Sequence, residues 1–236
     1  MHAFAAAWRE QASQPDIEAM PFEERLGLLV EAEWIARESR RLTRRLQEAK
    51  LKLPQACVEG VECTPGRGLE KRLLRSLAAC VWVREHQNVL LTGATGTGKT
   101  YVACALAHAA CRRGYRALYR RSPRLVDELA LARADGTLGR LLERLARTYV
   151  LVLDDWGHAP LKDQERRDVL ELLDDRYGTR STVLTSQVPV NQWHDALGDP
   201  TNADAICDRL LHNAHKIALQ GPSRRKEVGR AMNEVA

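Results

Sequence analysis

The sequence has no run of about 20 apolar residues, and its longest apolar stretches, such as 89–91 and 150–153, are short. A membrane-spanning helix is therefore not expected. The first ten residues lack a basic start followed by an apolar core, so they do not read as a secretory signal. No C-x-x-C pair occurs among the six cysteines, Cys57, Cys63, Cys80, Cys104, Cys111 and Cys207. The gap from Cys57 to Cys63 is too wide for half of a zinc knuckle, so reduced thiols are expected, several of them buried in helices. Internal repeats and low-complexity tracts are also missing. What remains is 236 residues, 44% hydrophobic and 28% charged, which suits one substantial domain or a core with a small appendage. Lys and Arg total 36 against 31 Asp and Glu, a net charge of only +5. Spread evenly, that surplus means solubility alone; clustered on one face, it would attract nucleic acid by releasing counterions.

Along the chain the pattern changes twice. From Phe22 to about Lys52 the composition favours helix, with one Gly and no Pro. Leu28, Ile35, Leu42, Leu46 and Ala49 share a narrow arc at about 100° per residue. Arg37, Arg40, Arg41, Arg44 and Arg45 fall on a different arc, which gives an apolar stripe with a basic flank. Residues 1–20 are weakly patterned and read as a loose start. Pro54, Gly60, Pro65, Gly66 and Gly68 mark a linker, and a second helical pattern runs over 69–84. From Asn88 onward, short β-type runs at 89–92, 117–120, 149–154, 181–186 and 215–219 alternate with helical patterns at 99–113, 123–133, 138–147, 163–177 and 204–213. Such alternation predicts an α/β fold with a parallel five-stranded sheet flanked by helices. The expected division is a helical N-terminal domain over 1–66 and a core domain over 67–236.

The residues Gly93-Ala94-Thr95-Gly96-Thr97-Gly98-Lys99-Thr100 lie between a predicted strand and a predicted helix, the context required of a phosphate-binding P-loop. The glycines let successive N–H groups turn inward toward phosphate oxygens, and the helix N-terminus adds its positive dipole end. Lys99 can reach the β- and γ-phosphates of ATP, and the Thr100 hydroxyl can ligate Mg²⁺. Hydrolysis also needs an acid at the end of another strand. The apolar run 149–153 ends in Asp154 and Asp155, one to hold Mg²⁺ and one to orient the attacking water, unless the pair simply caps the next loop. Asp155 is one methylene shorter than the Glu usual at such a place. The run 182–187 ends in Ser186 and Gln187, either of which could hydrogen-bond the water or the γ-phosphate, or merely begin a turn before Pro189. Arg209, amid apolar residues of a helical segment, could neutralise transition-state charge in a neighbouring subunit or form an ion pair within its own helix.

Together these stretches resemble an AAA+ ATPase of the DnaA/DnaC branch. More closely, the chain is similar to the IstB-like family of ATP-binding transposition helper proteins from bacterial insertion sequences. The narrowest matches are Asp154-Asp155-Trp156-Gly157 and Ala203-Asp204-Ala205-Ile206-Cys207-Asp208-Arg209-Leu210. The resemblance implies Walker A at Gly93 to Thr100, Walker B at Asp154 and Asp155, sensor 1 at Gln187, an arginine finger at Arg209 and sensor 2 at Arg225. It implies a core with no room for a full C-terminal lid, ATP and Mg²⁺ as cofactors, and ATP hydrolysis completed between protomers of a homo-oligomer. The implied partners are duplex DNA and a transposase of the same element, in the cytoplasm and away from membranes. The Arg37, Arg40, Arg41, Arg44 and Arg45 group is the first candidate for DNA phosphates. A second group comprises Arg112, Arg113, Arg116, Arg120, Arg121 and Arg124. Either could instead be a solvated face. A helicase loader and a nucleotide-gated DNA scaffold with little turnover are the rival readings.

Overall fold

Alanine, the best helix former, recurs at Ala3, Ala5, Ala6, Ala7 and Ala12, and the segment expected to be loose is a helix, α1 (His2–Ala12). The computed structural model of the chain describes residues 1–15 and 17–224. The long helical pattern becomes α2 (Phe22–Ala49), which starts after Pro21 with Glu23 and Glu24 in its first turn, where acids suit the helix dipole. It stops at Lys50, whose φ of 49° is left-handed, before Pro54 is reached. Glu33, in the middle of α2, accepts hydrogen bonds from the Ala3 and Phe4 amides at 3.1 Å and lies 3.3 Å from the N-terminal ammonium. A carboxylate from a later helix therefore satisfies the start of an earlier one, which otherwise has no side-chain cap. Leu29, Glu33 and Ala49 are buried in α2, so of the expected apolar stripe Ala49 is buried while Leu28 and Ile35 are exposed.

The structure separates into two compact units, one running from Met1 to Arg45 and the other starting at Leu46. The division falls inside α2, upstream of the boundary expected after Gly66. Residues following Arg45 join the second unit because Ala49, Leu51 and Ala56 are buried in it.

In the second unit, the pattern over 69–84 is two helices, α3 (Lys71–Ala78) and α4 (Val81–Arg84), separated at Cys80, whose φ is +57°. The sheet strands are β1 (Asn88–Gly93), β2 (Ala117–Arg121), β3 (Val150–Trp156), β4 (Ser181–Ser186) and β5 (Ala214–Leu219). All pair in parallel, in the order β2-β3-β4-β1-β5. Strands covered on both faces read as unbroken apolar runs, which explains the legibility of 89–91 and 150–153. The crossovers run through α5 (Lys99–Arg112), α6 (Ser122–Ala134), α7 (Leu138–Ala146) and α8 (Asp163–Arg176). A short helix with no counterpart in the sequence reading, α9 (Trp193–Leu197), precedes α10 (Pro200–Leu211). Leu90, Leu151, Leu153, Leu172 and Leu184 are at most 1% exposed and form the centre of the core. All six cysteines are free thiols, and burial raises those of Cys80, to about 11, Cys104 and Cys207, which makes them poor nucleophiles. Among the described residues no helix is long and apolar enough to cross a membrane.

Two features of this topology position the site. First, β1 lies between β4 and β5, so the loop leaving its carboxyl end is framed by the ends of both neighbours. Second, the β3–β4 register shifts between Leu153 and Trp156. The irregularity contains Asp154 and Asp155, and Asp155 has φ +62°. In a regular strand these consecutive side chains would point to opposite faces; the bulge re-aims them. A left-handed conformation at a non-glycine residue costs about 1–3 kcal/mol and is typical of functional sites.

Candidate functional site

The loop after β1 curls as its glycines permit. Gly93 has φ +142°, and a Cβ there would overlap the carbonyl oxygen of Leu219 on β5. Gly96 has φ +89°, and a Cβ there would overlap the Ser223 side chain. The Arg224 amide donates to the Gly96 carbonyl at 3.0 Å, so the segment after β5 lies against the loop. Lys99 opens α5 and donates from Nζ to the carbonyls of Gly93 at 2.7 Å and Ala94 at 2.8 Å. A cavity of about 930 Å³ opens over this loop, lined by Thr95, Gly96, Thr97, Gly98, Lys99 and Thr100. That volume suits a cofactor-sized ligand. Away from the loop its wall is partly apolar, with Val61, Leu69 and Leu219.

Asp154 is fully buried beside the cavity and is surrounded by hydroxyl groups. Thr185 donates to its Oδ1 at 2.5 Å, Thr100 to Oδ1 at 2.9 Å, and Tyr119 to Oδ2 at 2.5 Å. The Lys52 ammonium lies 3.4 Å from Oδ2. Burial works to raise the pKa of Asp154, but the bonds from Thr185, Tyr119 and Thr100 and the charge of Lys52 outweigh it, so the carboxyl sits below its ordinary value and is ionised. The Tyr119 phenol is pushed upward by burial and by its bond to Asp154, and remains a donor. A buried carboxylate with a threonine hydroxyl at 2.9 Å is an all-oxygen donor set of the kind Mg²⁺ takes alongside phosphate oxygens. No cluster of three or more His, Cys, Asp or Glu side chains able to hold a metal occurs among the described residues. Magnesium in phosphate sites does not need one, so Thr100 and Asp154 fit the expected ion.

Asp155 lines the same cavity. Its amide donates to Thr185 Oγ1 at 3.1 Å, so a single hydroxyl touches both carboxylate residues. Its Oδ2 accepts from Arg121 Nε at 3.0 Å and lies 3.0 Å from the second guanidinium nitrogen. Gln187 accepts from Thr95 Oγ1 at 2.6 Å and lines the cavity. Ser186, the alternative, is fully buried and donates instead to the Trp156 carbonyl at 2.8 Å.

Other expected residues lie elsewhere. Arg209, on α10, is outside this cavity and donates to Asp174 of α8 at 2.7 Å. That is an inter-helix pair, and the neighbouring Asp208 is farther away at 3.6 Å. Arg225 lies outside the described residues. Arg224 does line the cavity and forms an ion pair with Glu62. The basic group on α2 is partly compensated: Arg37 and Arg40 share Glu33, and Arg41 and Arg45 share Glu38. Members of the second basic group have separate partners. Arg112 pairs with Glu59, Arg116 with Glu48, Arg120 with Glu128 and Arg121 with Asp155, while Arg113 bonds the Ala78 carbonyl.

Sequence reasoning missed Lys52, Tyr119 and Thr185. Only Thr185 left a signal, as a polar residue at the end of an otherwise apolar strand.

Comparison with known proteins shows the family and the fold. Residues 1–231 match the model of the IstB-like ATP binding protein family. The chain is 48% identical over 226 residues to an insertion sequence ATP-binding protein of Sinorhizobium fredii, covering 96% of this chain and 92% of that one. It is 51% identical over 185 residues to the ATP-binding protein of an insertion sequence of Pseudomonas fluorescens, covering 78% of this chain and 80% of that one. Among solved structures, the DnaC helicase loader superposes with a TM-score of 0.59 at 20% identity, over 70% of this chain and 97% of that one. That likeness shows an AAA+ fold of the DnaA/DnaC type. The chain belongs to the IstB-like ATP-binding protein family.

Proposed function

We propose that this protein is an ATPase whose nucleotide state governs its assembly on duplex DNA and its recruitment or stimulation of the transposase of the same insertion sequence. The supporting observation is the hydrogen-bonded set of Thr100, Asp154 and Thr185 beside the P-loop cavity. In this reading the triphosphate of ATP lies along the amides of residues 93–100, and Lys99 exchanges its carbonyl partners for phosphate oxygens. Thr100 and Asp154 would hold Mg²⁺, which would supply positive charge against the charge developing on the phosphate. Asp155 orients and polarises the attacking water once its bond to Arg121 opens, and Gln187 hydrogen-bonds the γ-phosphate or the water. The base would lie toward Val61, Leu69 and Leu219, with Arg224 released from Glu62 to reach phosphate in the role sought at Arg225. Arg209 lies outside the cavity of its own chain, which supports a role in completing the site of a second protomer and hence a homo-oligomer. Arg37, Arg40, Arg41, Arg44 and Arg45 would meet DNA phosphates in the cytoplasm, with shape readout in place of base readout.

Phosphate release with and without duplex DNA tests the reading. Lys99→Ala should weaken nucleotide binding at least 100-fold. Asp155→Asn should keep binding and lose turnover. Arg209→Ala should be rescued when mixed with Lys99→Ala subunits, each supplying what the other lacks; absence of rescue removes the in-trans role. A second reading, a nucleotide-gated DNA scaffold, draws support from the Arg121–Asp155 pair, which occupies the candidate base. It gains if the chain binds ATP and DNA yet releases no more phosphate than Lys99→Ala does.

A further inference from the structure

Lys52 belongs to none of the motifs above, yet its ammonium reaches the most buried carboxylate of the site. The Asp154 carboxylate has about four acceptor positions. Thr185 donates to Oδ1, and the Thr100 hydroxyl lies nearer Oδ1, at 2.9 Å, than Oδ2, at 3.2 Å, so that Tyr119 and Lys52 are the principal partners of Oδ2. A divalent cation can bind Oδ2 only if one of those two withdraws. Tyr119 is 7% exposed and fixed in β2, whereas the Lys52 side chain is 38% exposed and faces the cavity. The backbone that carries Lys52 is anchored. Leu51 and Ala56 are buried, and the Ala56 amide donates to the Leu53 carbonyl at 3.1 Å. What can move is the four-carbon stem.

We propose that Lys52 is a built-in counter-ion of Asp154 that competes with the divalent cation for the same carboxylate oxygen. This rests on the nucleotide-site reading above for its consequence, though the competition itself depends only on the carboxylate. The displaced ammonium remains in the cavity it lines, where a triphosphate would attract it. Lys52 thus weakens metal binding and, once displaced, adds a second lysine beside Lys99 for phosphate. The carboxylate is never left buried without a cation, a state that would cost heavily in a low-dielectric interior.

Two measurements test this. The first is a Mg²⁺ titration at fixed fluorescent ATP analogue, for the full chain and for Lys52→Met and Lys52→Arg. The half-saturating Mg²⁺ concentration should fall about fivefold in Lys52→Met and stay near the parent value in Lys52→Arg. In EDTA the same analogue should bind Lys52→Met more weakly. Equal Mg²⁺ midpoints for parent and Lys52→Met overturn the proposal. If the parent takes up no analogue at any Mg²⁺ concentration, the nucleotide-site reading itself fails. The second measurement then judges Lys52 alone: thermal midpoints in EDTA for Lys52→Met, Asp154→Asn and the double variant. Lys52→Met should lower the midpoint when Asp154 is present and leave it unchanged in Asp154→Asn. Additive effects would end the proposal.

Discussion

The adjacent strands β3 and β4 hold one buried charge at each end. At their carboxyl ends lies Asp154, and at their amino ends Arg176, 2% exposed at the end of α8. The partners differ in kind. Asp154 is held by three hydroxyls and an ammonium, all on side chains, and the ammonium stands on a half-exposed stem that can turn. Arg176 is held by the carbonyls of Leu145 at 2.6 Å, Thr148 at 2.8 Å and Ser181 at 2.5 Å, with Thr182 Oγ1 at 3.3 Å. Burial and then the charge of Arg180 lower the Arg176 pKa to about 9, which leaves it charged at neutral pH. Carbonyls of a folded backbone cannot withdraw, so Arg176 fastens the start of β4 to the turn after α7. The Lys52 ammonium can, so the opposite end of the same strands can exchange ligands. One end is built to stay and the other to change.

The largest stability effect should come from Arg176→Met. Removing the guanidinium strands several buried carbonyls, and losses of about 3–5 kcal/mol are typical of a broken buried charge site. Denaturant unfolding should show that loss, with ATP turnover per folded molecule nearly unchanged. Asp154→Asn should do the reverse: turnover should fall at least 100-fold while stability changes by about 1 kcal/mol, since a neutral amide relieves the burial penalty that the hydrogen bonds had offset. If both variants lose stability alike, the contrast between the two ends is wrong. Thr185→Val sharpens it. One hydroxyl serves both carboxylate residues, so its loss should cost about 1–2 kcal/mol by the same unfolding assay and slow hydrolysis about tenfold. The smallest effect belongs to the first unit. Bonds from Arg37 and then from the Phe4 amide hold the Glu33 pKa down at about 2, against an ordinary 4.5. A depressed carboxyl pKa adds stability that is present above about pH 4.5 and is lost as pH falls toward 2. The Ala3 and Phe4 amide resonances should therefore shift over that window in NMR spectra, and Glu33→Gln should abolish the shift without altering turnover.

The P-loop, the five strands and most helices were legible because their signals are local. Glycine spacing and Lys99-Thr100 specify a phosphate loop within eight residues, and runs such as 150–153 specify buried strands. Lys52, Tyr119 and Thr185 were not legible, because their meaning depends on separate strand ends and an upstream segment meeting at Asp154. The helix α1 was missed for a related reason, since Glu33, far along the chain, satisfies its first amides. The bulge at Asp154 and Asp155 was equally silent, for nothing in two consecutive aspartates announces a left-handed φ. The pairing of Arg121 with Asp155 was not legible either, because a charge run says nothing about which carboxylate each arginine faces.

The strand β1 has partners on both sides, β4 and β5. Amides in such an interior ladder exchange with solvent deuterium only when the whole domain opens. The phosphate loop therefore springs from an interior strand of the sheet, and ligand arrival does not have to wait for the fold to breathe. Deuterium uptake after nucleotide addition should slow at residues 94–98 while remaining flat through Val89, Leu90 and Leu91, whose protection is already at its ceiling.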